Sequence, residues 1–211
     1  MNPHKLKHKS KKLSWLLRHG ANESRLEMDE AGWVEIADVL QQMRMTTDDL
    51  YLVVRENNKS RLEVQGDRIR ACQGHSTEGT PVTCDALERS WVQYKGDAPV
   101  WHGTSLEALG SIKSTGISAQ RRTHVHLSEG LHSRTGKRAG VAVMLEVCPV
   151  KMRAAGLGIF RSPNGVLLAR RVPPACITGA VPMTRKAQER RGTIARAFAL
   201  KGKDAATGSS Q

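Results

Sequence analysis

Leucines at 13, 16 and 17 recur at helical spacing, so Lys9–His19 reads as a helix with Gly20 placed to end it. Asp29–Gly32 reads as a turn. Val34–Met43 places Val34, Ile36, Val39, Leu40 and Met43 at a mixed but helix-compatible spacing. A third helix runs to Asn57, with Thr47 as its cap and Leu50, Val53 and Val54 as its buried stripe. Arg61–Val64 and Arg68–Cys72 flank Gln65-Gly66-Asp67, which reads as a hairpin with a short turn. Three helices followed by a hairpin is the element order of a winged-helix module.

The pattern then changes. Gln73–Ala98 is polar and punctuated by Gly74, Gly79, Pro81 and Gly96, as expected of a link that adds a strand around Trp91. Val100–His102 reads as a strand. Ser105 caps a helix that buries Leu106, Leu109 and Ile112 and stops at Gly116. His124–Leu127 and Val141–Val147 read as strands, and Asn164-Gly165 is a hairpin turn between Gly158–Arg161 and Val166–Arg170. Pro173 and Pro174 interrupt the chain before a segment at Cys176–Val181. The expected class is α+β. Its divisions are a winged-helix-like lobe over 1–95, a β-rich lobe over 96–182 and a basic extension over 183–211. That extension is either an extra RNA-binding helix or an unstructured tail; the tail is the favoured expectation, with Lys201–Gln211 flexible.

Composition narrows the class of partner. The 211 residues carry a formal charge of +13, with a pI near 10.1, which points to an acidic polymer and first of all to nucleic acid. Much of the excess crowds the two ends, at Lys5, Lys7, Lys9, Lys11 and Lys12 and again at Arg185, Lys186, Arg190, Arg191, Arg196, Lys201 and Lys203. Apolar content of 39% is adequate for folded cores. The four cysteines (Cys72, Cys84, Cys148, Cys176) lie far apart, without the paired spacing of a zinc ribbon or a disulfide framework. No apolar run has the length of a membrane span, and the N-terminus lacks the apolar core of a secretory signal. A reduced, cytoplasmic monomer is expected, nuclear if the source is eukaryotic.

The candidate chemistry is concentrated in short strings. LLRHG (Leu16–Gly20) and RTHVHLS (Arg122–Ser128) each bring arginine and histidine close together, and ENNKSRLEV (Glu56–Val64), RACQGHS (Arg70–Ser76) and WHGT (Trp101–Thr104) lie between them. Arginine offers a planar fork of donors suited to phosphate oxygens, and histidine exchanges a proton near neutral pH. At a helix end, Arg18 and His19 both reach one phosphate lying across it, and the helix dipole favours a protonated His19. The pair is also an ordinary way to finish a helix. Arg61, at the start of a strand, suits an RNA backbone contact or plain exposure. His124 and His126 alternate and are expected on one sheet face, yet no third ligand completes a metal set, so no metal is expected. In His102-Gly103-Thr104, glycine permits close approach of a ligand while His102 and Thr104 supply polar groups.

In order along residues 10–180, LSWLLRHG, NNKSRLEV, IRACQGHS, WHGT, RRTHVHLS and FRSPNGVLL resemble the Tpt1/KptA family of NAD-dependent RNA 2′-phosphotransferases. The resemblance implies an N-terminal winged-helix RNA lobe and a C-terminal ADP-ribosyltransferase-like lobe. It implies a catalytic set on Arg18, His19, Arg61 and Arg122, and a second set, for NAD, on His102, His126 and Val166, with Gly103 and Thr104 beside His102. The implied substrate is RNA bearing an internal 2′-phosphate, of the tRNA splice-junction type. The 2′-phosphate attacks the nicotinamide ribose of NAD and expels nicotinamide. The adjacent ribose hydroxyl then takes the phosphate, leaving 2′-hydroxyl RNA and ADP-ribose 1″,2″-cyclic phosphate. His19 is assigned either to protonate the departing RNA oxygen or only to position the phosphate. Two other functions fit the same strings: NAD-dependent ADP-ribosylation of a terminal nucleic-acid phosphate, and a catalytically inactive winged-helix binding protein. The basic segment Ser133–Gly140 is the main departure from the family pattern within the matched region.

Overall fold

A computed structural model describes residues 2–57, 60–133 and 140–198. The chain is helical almost from its start. Asn2 caps α1 (Pro3–Trp15) by accepting from the Lys5 amide at 2.8 Å, and Pro3 occupies the first turn, where a missing N–H costs nothing. The helix therefore begins at Pro3 rather than Lys9. It continues as a π-helix over Leu16–Gly20, and the backbone is still right-handed helical at Ala21, so Gly20 is not a stop. What matters at Gly20 is the absence of a Cβ, which would lie 2.4 Å from the Trp15 ring.

The apolar run after the first turn divides into β1 (Val34–Glu35) and α2 (Ile36–Met43), because Val34 is drawn into pairing with Ile69. The next helix, α3 (Thr47–Arg55), is capped one residue earlier than expected: Thr46, not Thr47, accepts from the Asp49 amide at 3.2 Å. β2 (Leu62–Gln65) and β3 (Arg68–Ala71) form the expected hairpin across Gly66-Asp67. β1 joins the free edge of β3, giving the order β1-β3-β2. The polar stretch that follows is more structured than a link. It holds α4 (Cys84–Ser90), capped by Thr83, and β4 (Val92–Gln93), and it buries Val82, Leu87 and Trp91.

Onward in the chain come β5 (Val100–Thr104), α5 (Leu109–Thr115), β6 (Ile117–Ser118), β7 (Val125–Leu127), β8 (Val143–Val147) and α6 (Pro149–Ala154). β9 (Phe160–Arg161) and β10 (Leu167–Ala169) form the hairpin expected around Asn164-Gly165. β11 (Arg171–Val172), β12 (Ile177–Pro182), α7 (Arg185–Glu189) and α8 (Arg191–Phe198) complete the described chain. The fold is mixed helix and sheet, as the α+β expectation has it.

Two compact units emerge, interleaved along the chain. The first comprises Met1–Tyr94, Ser118–His126 and Gly158–Arg170; the second comprises Lys95–Ile117, Leu127–Leu157 and Arg171–Gln211. In the first, Leu13, Leu17, Leu50, Val53 and Ile69 form a core that ties α1 and α3 to the three-stranded sheet. A second cluster gathers Val82, Leu87, Trp91, Val166 and Leu168. In the second unit β8 is the central strand of the order β12-β8-β5, and Val143, Met144, Leu145 and Val147 are fully buried. α8 packs along β12 and buries Ile194 and Phe198. The residues after Met183 are thus folded as far as Phe198, contrary to the favoured tail, because Ala187, Ile194 and Phe198 are apolar at positions that face a strand. Lys201–Gln211 lies outside the described residues, as does most of the basic segment Ser133–Gly140. No helix among the described residues is long and apolar enough to cross a membrane.

Candidate phosphate-binding site

The first unit gathers Arg18, His19, Arg61 and Arg122, although they are drawn from three separate stretches of sequence. Arg18 and His19 project from the π-helix, a widened turn of the kind that frequently marks functional positions. Their placement depends on the loop Gln73–Thr80. The Ser76 amide donates to the Arg18 carbonyl at 3.0 Å, and the Ser76 hydroxyl donates to the same oxygen at 3.2 Å. The Asn22 amide donates to the Gly79 carbonyl at 3.0 Å. The same loop then secures the Arg122 segment, through Thr77 N–H to the Arg121 carbonyl and Thr123 N–H to the His75 carbonyl, each at 3.0 Å. Arg61 enters through its backbone: its carbonyl accepts from the Cys72 amide at 2.9 Å, one residue before the loop begins. One loop therefore holds three of the four side chains in register and adjoins the fourth.

Gly79 is needed within it. Its φ is +80°, and a Cβ there would lie 2.2 Å from the His19 carbonyl oxygen. Any other residue is strained in conformation and collides with the backbone of the site.

Electrostatically Arg18 is uncompensated. The Nε and Nη2 atoms of Arg18 are sealed from solvent and have no hydrogen-bond partner. Burial, assisted by the neighbouring charges of Arg61 and Arg122, pulls the Arg18 guanidinium down to about 10. Among the described residues no carboxylate pairs with Arg18 or Arg61. Arginines elsewhere differ: Arg70 holds Glu63 at 2.7 Å, and Arg170 holds both Asp85 and Glu88. Buried cations ordinarily acquire a counter-ion, so a buried arginine without one, beside further arginines, is suited chemically to an anion that arrives from outside. His19 is lowered from its ordinary value by burial, then by Arg18 and Arg122. This is opposite to the helix-end expectation, because nearby full charges and burial outweigh a partial backbone dipole.

The two histidines of the THVH string do not share an environment. His124 lies outside β7 and is buried, with its Nε2 at 3.1 Å from Glu88 Oε1 and its ring edge-on to Trp91 at 4.9 Å. His126 is half-buried, with its Nε2 at 2.7 Å from Gln73 Oε1 and 3.5 Å from Arg122 Nη1. One ring nitrogen cannot donate to the first and accept from the second. The contact with Gln73 is the shorter and orients the ring. His126 is therefore held beside the arginine cluster, whereas His124 belongs to a packed polar network.

Of the remaining expected residues, Val166 lies in the first unit with its side chain in the Val82–Leu87–Trp91 core. His102, Gly103 and Thr104 lie in the second unit on β5, half-buried. Gly103 does not stand open for a ligand: a Cβ there would lie 2.6 Å from Val141 Cγ2 and 3.4 Å from Met144 Sδ. His102 and Thr104, two apart on a strand, share one face. Among the described residues no group of three or more His, Cys, Asp or Glu assembles for a metal ion.

Residue patterning alone missed the parts of the site that act through other residues. Gln73 fixes His126, Ser76 and Gly79 fix Arg18 and His19, and His75 lies fully buried nearby with neither ring nitrogen partnered. The only signal for them was their inclusion in the string RACQGHS and the residues just after it.

Comparison with known proteins bears on the same residues. A sequence profile described as RNA 2′-phosphotransferase, Tpt1/KptA family, matches residues 4–171. A probable RNA 2′-phosphotransferase of Rhizobium rhizogenes is 34% identical over 171 residues, which cover 78% of this chain and 88% of the relative. A tRNA 2′-phosphotransferase 1 of Danio rerio is 36% identical over 172 residues, covering 75% and 76%. A probable RNA 2′-phosphotransferase of Thermococcus kodakarensis is 34% identical over 182 residues, covering 82% and 96%. With a match that reaches from α1 to β11 and relatives aligned over most of their own length, the chain belongs to the Tpt1/KptA family of RNA 2′-phosphotransferases.

Proposed function

We propose that the protein removes an internal 2′-phosphate from RNA, of the kind left at a tRNA splice junction, by transferring it to NAD. The observation that carries this reading is Arg18, a buried guanidinium with two unsatisfied nitrogens, lying within electrostatic reach of Arg61 and Arg122. A phosphomonoester dianion is the ligand that fits: it brings two charges and supplies acceptor oxygens for a planar fork of donors. The order α1-β1-α2-α3-β2-β3, with its three-stranded sheet, supports a winged-helix reading of the segment that presents Arg18 and Arg61.

The residues divide the work as follows. Arg18, Arg61 and Arg122 hold the 2′-phosphate and stabilise the charge that spreads over its oxygens during transfer. The phosphate is itself an anionic nucleophile, so no carboxylate base is needed to activate it. Its arrival also reverses the electrostatics at His19: a dianion beside the ring offsets the arginines and raises the imidazole's proton affinity. His19 then gives its proton to the departing RNA 2′-oxygen. Gln73 orients His126 at the edge of this cluster. His102 and Thr104 offer a polar strand face toward NAD, which supplies the acceptor ribose when bound.

Purified protein incubated with NAD and a synthetic RNA carrying one internal 2′-phosphate tests the proposal. The expected products are 2′-hydroxyl RNA, nicotinamide and ADP-ribose 1″,2″-cyclic phosphate. Terminal ADP-ribose retained on the nucleic acid would assign the chain to terminal-phosphate modification instead, and binding without nicotinamide release would make it an inactive binding protein.

A further inference from the structure

An exposed indole stands beside the arginine cluster, and its position is maintained at some cost. Trp15, the last residue of α1, is 44% exposed, and among the described residues its indole enters no aromatic stack, cation–π pair or side-chain hydrogen bond. It precedes Arg18 by three residues and His19 by four, the spacing that brings side chains to one side of a helix. Its ring lies across Gly20, where a Cβ would stand 2.4 and 2.5 Å from two ring carbons. Gly20 shows no left-handed backbone, so conformation gives no reason for glycine in a helical turn, where it is a poor choice. Contact with Trp15 does give one.

Upstream, His4, Lys7, Lys11 and Trp15 follow one another at steps of three, four and four, so they form a single stripe along α1. All four are exposed, as are His8 and Lys12 beside them. Lys9 is excluded from the stripe, being tied to Asp49 at 2.6 Å. The stripe runs from free lysines to a free indole and on to the unsatisfied guanidinium of Arg18. Cations that track a backbone, followed by an aromatic face, are what single-stranded nucleic acid requires.

Resting on the function proposed above, we infer that Trp15 is a stacking platform for the base of a nucleotide adjoining the 2′-phosphate, with Lys7 and Lys11 following the RNA backbone on that side. The enzyme thereby reads an unpaired, extruded base next to the phosphate as well as the phosphate itself. Trp15 is a specificity determinant for RNA structure, since every base has a face to stack and a base locked in a duplex does not.

The test is binding by the full chain, without NAD, of a short single-stranded RNA with one internal 2′-phosphate. Two matched RNAs lack the base immediately 5′ or 3′ of that nucleotide. Wild-type protein should bind one abasic RNA about tenfold more weakly than the parent. Trp15→Leu should bind the parent about tenfold more weakly and lose nothing further on that abasic RNA, while Trp15→Phe, which keeps a stacking face, should recover most of the affinity. Circular dichroism establishes that each variant is folded. Equal sensitivity to base removal in wild type and Trp15→Leu, or insensitivity of wild type to both abasic sites, overturns the role of Trp15. If wild type binds 2′-phosphorylated and unmodified RNA alike, the function proposed above falls instead.

Discussion

Arg18 is unfavourable for folding, and the proposed function gives it a use in binding. Its guanidinium is buried among like charges, so an apolar side chain of similar length should be tolerated or preferred by the fold. Arg18→Met is expected to leave the melting temperature unchanged or raised by a few degrees. It should also lower kcat/KM more than a hundredfold, because two charged hydrogen bonds are worth about 3–6 kcal/mol together. Thermal melts and steady-state kinetics on the same preparation check this, and a melting temperature several degrees lower would show that Arg18 has a structural partner. His19 makes a pH prediction. If the bound phosphate raises it and its proton is then donated, kcat falls on the alkaline side; His19→Asn should lose that limb and about a hundredfold in kcat. The His75 ring makes a stability prediction. Burial, with Arg18 and Arg70 next in effect, holds its ring down to about 3 against an ordinary 6.5. The unfolded chain therefore binds a proton that the folded chain refuses, so stability is complete above pH 6.5 and declines as pH falls from about 6.5 toward 3. Urea midpoints measured through that window should decline less in His75→Leu, which has no proton to bind.

Elements matter here by what they hold in register. The loop Gln73–Thr80 has no regular secondary structure, yet it fastens the π-helix to the Arg122 segment through backbone hydrogen bonds. Gly79→Ala should therefore cost about 2 kcal/mol of strain and lower turnover as well, since the added carbon meets the His19 carbonyl. Urea unfolding and kcat/KM are the readouts, and normal values for both would show that the loop is not what positions the site. β5 teaches a different lesson. The WHGT string suggested a glycine kept small for a ligand, but Gly103 is closed off by Val141 and Met144. Gly103→Val should lose about 1–3 kcal/mol through overpacking even with no ligand present. Hairpins and buried stripes were legible because a turn pair and an apolar period are local signals: Gly66-Asp67, Asn164-Gly165 and the stripe of α3 all appear where expected. The strand expected around Trp91 appears as β4, whereas β1 was not legible, because two residues hold no period and pairing with β3 defines it.

For the whole molecule, the formal charge of +13 sets how it meets RNA. Each cation that neutralises a phosphate of single-stranded RNA releases a counterion and contributes about −0.7 to the slope of log affinity against log salt. Deleting the basic C-terminal region is an unsuitable test of this, since Ile194 and Phe198 are buried against β12. Replacing Lys186, Arg190, Arg191 and Arg196 by glutamine removes the charge and keeps the helices. Affinity for all RNAs should then fall together and the salt slope flatten, while the preference for 2′-phosphorylated RNA survives. Loss of that preference would place α7 and α8 in the recognition site itself. The sequence by itself determined the α+β class, the charge, and the six ordered strings that carry the family, since composition, period and order are properties of a linear chain. Only the tertiary structure separated His124 from His126, placed Val166 in a core, folded the segment after Met183 onto β12 and made Gly20 a seat for Trp15. It also decided that Arg18 goes unpaired while Arg70 and Arg170 do not. The reason is that burial and a missing counter-ion depend on which distant segments arrive at a side chain, and in this chain the backbone of Gln73–Thr80 makes that connection.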